Sequence, residues 1–444
     1  MKMEKIGGIV NGKFINEYKN GKINKIKIDT RKLKKNDCYI ALIGKNLDGH
    51  DFIEEAIKKK VSLIIVSKDI KIKTNIPILK VKDTHTALIQ ISKYYKEKYK
   101  IPYIAITGSN GKTTTKELIS TILSKKYNVL KTEKNYNNNI GIPLTLLNLN
   151  EKHEIGIIEM GMNHKGEIEE LSKLIKPDIG IITNIGTSHL EYLKNKKNIF
   201  KAKMEVTSGI EDGILIVNGN DKYLKKIKNN LKYDVIKTGV KSNYNLVPYG
   251  INQTIHGLKF KLKHMEKEYT IKTDLIGKHL IVDIMLAVET AILFDFKMEE
   301  IIESLSNHKS IEKRMNIKEK EKFIIVDDCY NANLESYMGL INLLKEQKKK
   351  KIIIAGDILE LGKYNKKIHK KVIKNLKKIK NADLYLVGSN MEIGKNKVMH
   401  FSSNEKLKTY LKTLGIEYFK DTVIALKASR GIHLENVKEM IENL

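Results

Sequence analysis

The chain has 444 residues, of which 82 are lysine or arginine and 52 are aspartate or glutamate, so its formal net charge is +30 at pH 7. Hydrophobic residues make up 41% and charged residues 30%, which excludes a disordered or fibrous chain and suits two or three domains. Arginine occurs only three times, at Arg31, Arg314 and Arg430. Nucleic-acid surfaces usually rely on arginine for bidentate contacts, so we interpret the excess charge as a lysine background and expect no nucleic-acid partner.

Two further absences narrow the class of protein. The only cysteines, Cys38 and Cys329, are too few for a disulfide framework or a cysteine-based zinc site. No run of about 18 apolar residues is present, and the start MKMEKIGGIVNGKF lacks the apolar core of a signal peptide. We therefore expect a cytoplasmic protein without membrane insertion.

Residues 1–83 predict a small α/β domain. The segments KINKIKIDTR and CYIALIG have the patterns of strands, and DFIEEAIKKK has the amphipathic pattern of a helix. The apolar segment VSLIIVS follows and completes a β–α–β unit.

Residues 84–312 predict a central domain. A helix over Thr84–Lys100 precedes a strand, a glycine-rich loop and a second helix. The apolar segments IGIIEMG, DIGIITNIG and ILIVNGND recur with helices between them, which is typical of a mostly parallel sheet covered on both faces. Lysine-rich alternation predicts a mainly β insertion over 221–274, and the apolar run after it predicts a long helix over Gly277–Phe294.

Residues 313–444 predict a second α/β domain. Four apolar segments, FIIVDD, KIIIAGD, ADLYLVG and DTVIALKASRG, are separated by helical patterns. The chain therefore divides into three predicted units, with boundaries near 83 and 312.

The strongest chemical signal is TGSNGKTT, Thr107–Thr114, between a predicted strand and a predicted helix. Glycines let the backbone approach a phosphate, and successive N–H groups at a helix N-terminus hold anionic oxygens. Here Lys112 would neutralise phosphate charge and the Thr113 hydroxyl would ligate Mg²⁺. Ile106 stands where the standard P-loop has its first glycine, so a chance glycine turn is the alternative.

Three further residues are candidates for the same site. Glu159 ends the strand in IIEMG. A carboxylate at this position would lie next to a Mg²⁺ bound beside the phosphates. The alternative is a surface glutamate. His189 lies just past the strand DIGIITN, although an isolated loop histidine also serves structural roles. Lys203, in FKAKMEV, has the pattern of a solvated lysine.

Polar residues also follow two strands of the third unit. DDCYNAN, Asp327–Asn333, suits polar binding across a domain interface, or alternatively an Asx-rich turn. GDILELG carries Asp357 and Glu360 at another strand end. The arginines lie at strand ends or junctions, where a rigid fork suits phosphate or carboxylate. The residues alone predict a three-domain ATP-dependent enzyme and leave its reaction open.

Taken together, these segments resemble the Mur ligases of peptidoglycan synthesis. The resemblance rests on ITGSNGKTTTKE, NYNNNIGIPLTLL, IIEMGMNHKGEIEELSKLIKPDIGIITNIGTSHLE, FKAKMEV, DDCYNAN, GDILELG and KASRG, in the family's order. The opening IDTRKLKKNDCYIALIGKNLDGHDFIEEA is similar to the family's uridine-nucleotide-binding domain. The resemblance implies a small α/β substrate domain, a central P-loop-type ATPase domain with a mostly parallel sheet, and a C-terminal Rossmann-like α/β domain.

Within the family, YNAN, GDILELG and NYNNNIGIPLTLL are similar to the branch that adds D-alanyl-D-alanine, and the D-N-P-R motif of the branch that adds the third residue is missing. The resemblance implies a monomeric ligase that uses ATP and Mg²⁺ to join D-alanyl-D-alanine to UDP-N-acetylmuramoyl-tripeptide through an acyl phosphate. This is the last cytoplasmic step in making the cell-wall precursor. A sibling ligase adding one amino acid, a ligase recycling wall tripeptides, and a nucleic-acid-binding ATPase are the alternatives.

The resemblance also assigns roles to residues. The catalytic residues would be Lys112, Glu159, His189 and Lys203. The Mg²⁺ ligands would be Thr113, Glu159, His189 and Lys203, the last as a carbamate. The ATP contacts would be Gly108, Ser109, Asn110, Gly111, Lys112, Thr113, Thr114, His279, Asp283, Arg314 and Asp328. The contacts to the other substrates would be Asp29, Arg31, Asn137, Asn138, Tyr330, Asn331, Asn333 and Arg430.

Four positions depart from the family's pattern. Asp283 replaces asparagine in GKHLIVD, and an ionised carboxylate can only accept hydrogen bonds from adenine. Leu334 replaces the usual proline after YNAN, Ala428 stands within KAS where KGS is usual, and Lys313 replaces the glycine before the next arginine. The predicted metal-site residues are intact, so we expect an active enzyme.

Overall fold

Runs of buried apolar residues form the strands of four sheets in the computed structural model, which describes residues 1–241, 243–308 and 315–443. The predicted α/β class is confirmed. Arg314 and the predicted boundary between 312 and 313 lie outside the described residues. No described helix is long and apolar enough to cross a lipid bilayer.

The first unit is a small sheet with two short helices. Its elements are α1 (Met3–Ile9), β1 (Lys13–Phe14), β2 (Ile26–Lys27), β3 (Cys38–Ile40), α2 (Ile53–Lys58), β4 (Leu63–Val66) and β5 (Ile78–Lys80). The strands lie in the order β1-β5-β4-β3-β2. Only β1 is antiparallel to its neighbour.

The central unit contains a six-stranded sheet and a separate three-stranded sheet. Its elements are α3 (Thr84–Lys98), β6 (Tyr103–Thr107), α4 (Lys112–Leu123), β7 (Val129–Lys131), α5 (Gly141–Leu146), β8 (Ile155–Glu159), α6 (Glu167–Ile175), β9 (Ile179–Ile182), α7 (Leu190–Leu193), α8 (Lys196–Met204), β10 (Gly213–Asn218), β11 (Tyr233–Thr238), β12 (Leu246–Thr254), β13 (Gly257–His264), β14 (Lys267–Thr273), α9 (Ile281–Ile292) and α10 (Met298–Ser306). The order β11-β10-β9-β6-β8-β7 is parallel throughout. Strands β6, β8 and β9 are fully buried, as apolar runs in a doubly covered sheet should be.

The position of β6 in this sheet brings three loops together. Ile106 of β6 pairs with Glu159 of β8, and Thr107 pairs with Ile182 of β9. Because parallel strands end at the same edge, the loops that follow β6, β8 and β9 are neighbours. The glycine-rich loop, Glu159 and the loop carrying His189 therefore share one edge of the sheet.

Two sequence predictions for the central unit were wrong in extent. The insertion predicted over 221–274 is shorter, because β11 pairs in parallel with β10 and only β12–β14 form an antiparallel sheet. Alternating lysines on a half-exposed edge strand look the same as those of a separate sheet. The helix predicted over 277–294 begins at Ile281, after a 3-10 turn over Lys278–Leu280, and ends at Ile292.

The third unit is a second doubly covered sheet. Its elements are β15 (Asn316–Glu319), β16 (Phe323–Asp328), α11 (Leu334–Lys345), β17 (Lys350–Gly356), α12 (Asn365–Leu376), β18 (Ala382–Val387), β19 (Met399–Phe401), α13 (Asn404–Thr413), β20 (Thr422–Lys427) and α14 (Glu435–Glu442). The order is β15-β16-β20-β17-β18-β19, with β15 alone antiparallel. The four predicted strands are confirmed, and the two short, more exposed edge strands were missed.

The apolar core continues from the central unit into the third. One connected cluster of buried side chains includes Ile185 and Leu190 beside β9 and Tyr337, Leu340 and Ile341 of α11. Burial of apolar surface at this junction contributes to holding the two units together.

A close contact in the segment that follows α8 gives a test of the fold. Gly209 ends the 3-10 helix over Glu205–Gly209 that follows α8, and its N–H donates to Ser172 Oγ at 2.9 Å. A Cβ on Gly209 would lie 2.0 Å from the backbone oxygen of Ser172. We expect Gly209→Ala to lower the free energy of unfolding by about 1–3 kcal/mol, and the unfolding temperature with it.

Gly8→Ala is the matched control for Gly209→Ala. Gly8 lies in α1, and nothing lies within 4 Å of a Cβ added there. Alanine in a helix should leave stability unchanged or raise it slightly. Equal unfolding temperatures for the two variants in differential scanning fluorimetry would contradict the packing described for Gly209.

Candidate active site

The glycine-rich loop between β6 and α4 fits too tightly for any side chain at its two glycines. Gly108 and Gly111 have φ values of 151° and 79°. A Cβ would lie 1.8 Å from Thr183 Oγ1 at Gly108 and 2.2 Å from Asp283 Oδ1 at Gly111. The Lys112 ammonium donates to the backbone oxygen of Gly108 at 2.8 Å. The result is a loop whose backbone N–H groups lead into the N-terminus of α4, as phosphate binding requires.

Glu159 lies beside this loop and accepts hydrogen bonds from two neighbouring segments. It is buried, and its two carboxylate oxygens accept hydrogen bonds from the Thr113 hydroxyl and from Asn137 Nδ2, both at 2.8 Å. Asn137, which is predicted to contact substrate, contacts Glu159 in this structure. The backbone N–H of Glu159 donates to Thr132 Oγ1 at 3.0 Å.

The donor set around Glu159 fits Mg²⁺ only in company with phosphates. Within residues 1–241, 243–308 and 315–443, no group of three or more His, Cys, Asp or Glu side chains could hold a metal ion. A hydroxyl and a carboxylate are nevertheless the protein ligands that Mg²⁺ takes when phosphate oxygens and water complete its octahedron. Thr113 and Glu159 therefore suit a nucleotide-borne cation and no dedicated metal cage.

Lys203 is an unusual lysine. Its side chain is 1% exposed, and Nζ has no hydrogen-bond partner among the described residues. Burial, followed by repulsion from Lys112, lowers the pKa of the Lys203 amine well below its ordinary value. The nearby charges of Glu205 and Glu159 oppose that shift without cancelling it. Lys203 is therefore a buried amine whose pKa is lowered, and the solvated-lysine interpretation is wrong.

His189 contacts the third unit. Its buried Nδ1 lies 2.8 Å from Oε2 of Glu360, without the alignment of a hydrogen bond. The interaction with His189 outweighs burial and holds the pKa of the Glu360 carboxyl below its usual value. The backbone N–H of Glu191 also donates to the backbone oxygen of Glu360 at 3.0 Å.

One cleft brings together many of the residues predicted to bind ATP or substrate. From the central unit, the predicted residues that line it are Ser109, Asn110, Gly111, Lys112, Thr114, His279 and Asp283. From the third unit, they are Asp328, Tyr330, Asn331 and Asn333. Apolar side chains complete the lining, including Leu275, Ile276, Leu280 and Val282. A polar phosphate end and an apolar flank suit a nucleotide.

The first turn of α11 closes this cleft. Asn333 caps the helix, because its Oδ1 accepts from the N–H of Ser336 at 2.8 Å. Its Nδ2 donates to Asn110 Oδ1 at 2.6 Å and to Ser188 Oγ at 2.8 Å. One side chain therefore starts the helix and joins the third unit to the glycine-rich loop.

Glu335 continues the same interface. Its Oε2 accepts from the backbone N–H and the hydroxyl of Thr187 at 3.0 and 2.6 Å, and its Oε1 accepts from Lys196 at 3.0 Å. Burial raises the pKa of the Glu335 carboxyl, but the Lys196 charge and the Thr187 hydroxyl outweigh burial and leave it lowered. The N–H of Leu334 donates to Thr187 Oγ1 at 3.3 Å. Proline, the usual residue here in the family, has no such N–H.

The other end of α11 docks on the segment before α9. Glu346 accepts from Lys278 Nζ at 2.7 Å and from Gln253 Nε2 at 3.0 Å. Between the two ends, a Cβ on Gly339 would lie 2.8 Å from the ring of His279. The helix therefore contacts the central unit along its whole length.

The remaining predicted substrate residues lie elsewhere. Asp29 and Arg31 form a bidentate pair in the first unit, with Nε–Oδ1 and Nη2–Oδ2 distances of 2.9 and 3.0 Å. Asn138 Oδ1 accepts from the N–H of Gly141 at 2.9 Å, at the start of α5. The Arg430 guanidinium lies 5.5 Å from the centre of the Tyr330 ring, next to the cleft.

Sequence reasoning missed three residues of the cleft and its interface. Lys427 is 1% exposed and donates to the carboxylate of Asp328 and to the backbone oxygen of Asn331. Its only signal is its place in KASRG at the end of β20. Glu335 and Glu346 give no signal in the sequence, because their partners lie far away along the chain.

Three family models match this chain. Residues 22–100 match the Mur ligase family catalytic domain, residues 106–291 the Mur ligase middle domain, and residues 313–441 the Mur ligase glutamate ligase domain. The UDP-N-acetylmuramoyl-tripeptide–D-alanyl-D-alanine ligase of Bacillus subtilis (strain 168) is 34% identical over 457 residues, covering 99% of this chain and 98% of its own.

Solved structures show the same similarity. A crystal structure of MurF from Acinetobacter baumannii has a TM-score of 0.91 and 27% identity, covering 99% of this chain and 98% of its own. The MurF ligase of Thermotoga maritima in complex with ADP has a TM-score of 0.84 and 26% identity, covering 95% and 97%. The similarity extends over all three units.

The contacts of Glu335 predict how firmly the third unit is held. We expect Glu335→Ala to speed amide hydrogen exchange across residues 186–196 by about tenfold, because a half-buried acceptor of three hydrogen bonds is lost. Glu405→Ala is the matched control, since Glu405 also lies in the first turn of a helix of the third unit but is exposed. Unchanged exchange in Glu335→Ala, measured by mass spectrometry, would show that this docking contact contributes little.

Proposed function

Because the chain belongs to the Mur ligase family, we propose that it joins D-alanyl-D-alanine to UDP-N-acetylmuramoyl-tripeptide in an ATP-dependent reaction. One observation carries this proposal: similarity to a ligase of that activity extends over 99% of the chain, so no domain lacks a counterpart. The ADP complex of the related Thermotoga maritima enzyme supports ATP as the second substrate. The product would be the pentapeptide precursor of peptidoglycan.

The chemistry explains why ATP is needed. A carboxylate has a poor leaving group, so the terminal carboxylate of the tripeptide would first take the γ-phosphoryl group of ATP. The amine of D-alanyl-D-alanine would then attack the acyl phosphate, and the tetrahedral intermediate would collapse to an amide and inorganic phosphate. Two anions must approach each other in the first step, so the site has to supply positive charge.

The glycine-rich loop and its neighbours would supply that charge. Lys112 would contact the phosphates, and Thr113 and Glu159 would hold the first Mg²⁺ with phosphate oxygens. His189 and Lys203, the latter as a carbamate, would hold a second. Bound Mg²⁺ would offset the negative charge of the phosphates.

Lys203 supports the carbamate by its surroundings. A buried neutral amine adds to CO₂ and loses a proton, which gives an anionic oxygen ligand in place of a cation. A permanent ammonium without a hydrogen-bond partner would be costly at this depth. Conversion to a metal-bound anion removes that cost.

The cleft between the central and third units would bind the nucleotide. Asp328 would contact the ribose and His279 the base, while Asp283 would accept a hydrogen bond from the adenine amino group. Arg314, which lies outside the described residues, is proposed for the phosphates on the family pattern alone.

The uridine-linked substrate would bind between the first and central units. A second cavity there is lined by Asp29, Tyr136 and four lysines, Lys27, Lys32, Lys131 and Lys134. Four lysines suit a diphosphate. Arg31 would lie at the rim of this site, and Asn137, Asn138 and Arg430 remain proposed substrate contacts.

We further propose a monomer that works in the cytoplasm. The monomer is proposed from the family resemblance alone. Both cysteines are buried as free thiols, which fits a reducing compartment.

The reaction is tested by phosphate release. Purified protein with Mg²⁺, ATP, UDP-N-acetylmuramoyl-tripeptide and D-alanyl-D-alanine should release phosphate and form the pentapeptide, detected by mass spectrometry. If the same amount of phosphate were released without D-alanyl-D-alanine, the proposal would be contradicted. Activity with a single amino acid and a UDP-linked dipeptide would favour the sibling ligase, and stimulation by DNA or RNA with a steep salt dependence would favour a nucleic-acid-binding ATPase.

The role of Lys203 has its own test. Lys203→Ala should lower the ligase rate by roughly 100-fold or more while ATP still binds, and a short-chain carboxylic acid should restore part of the rate. Lys201→Ala is the matched control, because Lys201 is an exposed lysine on the same helix. Near-normal turnover of Lys203→Ala would exclude the carbamate.

A further inference from the structure

Glu360 holds the loop of His189 from the opposite unit. His189 follows β9 in the central unit, and Glu360 follows β17 in the third. The Glu360 carboxylate lies 2.8 Å from His189 Nδ1, and its backbone oxygen accepts from the N–H of Glu191 at 3.0 Å. Both the side chain and the backbone of Glu360 therefore contact one short segment of the central unit.

The backbone at this contact is constrained on both sides. His189 and Glu360 have φ values of 61° and 60°, in the left-handed region that non-glycine residues avoid. Such conformations persist where surrounding contacts over-determine them, and they concentrate at functional sites. A Cβ on Gly362, two residues after Glu360, would lie 3.1 Å from the Cα of Glu191. The two loops are thus fitted closely to each other.

We propose that Glu360 is a positioning residue for His189. Its carboxylate lies 2.8 Å from the buried Nδ1, so Nε2 is the ring nitrogen left for a divalent cation. A carboxylate beside the far nitrogen of a metal-binding histidine restricts the orientation of the ring. This inference rests on the proposed function only in taking His189 as a cation ligand.

The origin of Glu360 in the third unit has a consequence. His189 is held in its orientation only while the third unit is docked. In the docked arrangement Asn333 and Glu335 close the nucleotide cleft, and Glu360 lies beside His189. Closure over the nucleotide and completion of the cation site are therefore one event.

A double-mutant cycle tests this assignment. The variants Glu360→Ala, His189→Ala and the double variant are compared in the full-length protein, with Mn²⁺ binding measured by electron paramagnetic resonance in the presence of a non-hydrolysable ATP analogue. Two Mn²⁺ ions should bind, one more weakly than the other, and each single variant should lower the affinity for the more weakly bound ion by about tenfold. If Glu360 acts through His189, the double variant should bind like His189→Ala alone. Glu360→Gln, which keeps an acceptor oxygen, should lose less affinity than Glu360→Ala.

Glu346→Ala is the matched control for a purely structural docking role. Glu346 is another carboxylate of the third unit that contacts the central unit, at Lys278 and Gln253. Equal loss of Mn²⁺ affinity in Glu346→Ala and Glu360→Ala, or an additive loss in the double variant, would overturn the proposal. Mn²⁺ binding is measured without D-alanyl-D-alanine or the UDP-linked tripeptide, so it tests the role of Glu360 separately from the ligase assay. Failure of the ligase assay would count against the proposed function instead.

Discussion

The docking of helix α11 on the central unit is the interaction on which the candidate active site depends. Asn333 at its start binds Asn110 of the glycine-rich loop, and Glu346 at its end binds Lys278 before α9. The cleft for the nucleotide exists only between these contacts. The docking contacts combine hydrogen bonds and ion pairs with the apolar junction between the two units.

The lysines of this chain fall into two groups, exposed and buried. Most of its lysines are exposed and contribute only a general attraction for anionic substrates. Among the described residues, three lysines are at most 1% exposed. Lys116 donates to the backbone oxygen of Thr132 at 2.6 Å and Lys427 donates to Asp328, so each has a structural partner. Lys203 alone of these three has no hydrogen-bond partner among the described residues, and an unsatisfied buried amine points to chemistry more strongly than to stability.

The sequence predicted the parts of the site that depend on local order along the chain. The glycine-rich loop and the place of Glu159 follow from apolar strands of a parallel sheet, whose carboxyl ends share an edge. It did not predict that Asn137 binds Glu159, or that Glu335, Glu346 and Glu360 contact the central unit. These contacts join residues from distant parts of the chain, and a surface glutamate on an amphipathic helix has the same local pattern whether it docks or faces water. The extent of the β insertion was misjudged for a similar reason, since strand pairing is set by tertiary neighbours.

The backbone N–H of Leu334 shows how a single departure from the family pattern can change the balance between open and closed forms. Proline at this position would stiffen the start of α11 in every conformation, because its ring fixes φ. Leucine gives up that stiffness and gains a hydrogen bond to Thr187 that exists only when the third unit is docked. An undocked α11 would therefore start more freely here than with proline, while the docked state holds one more hydrogen bond. Such an exchange would make closure depend more on bound ligands.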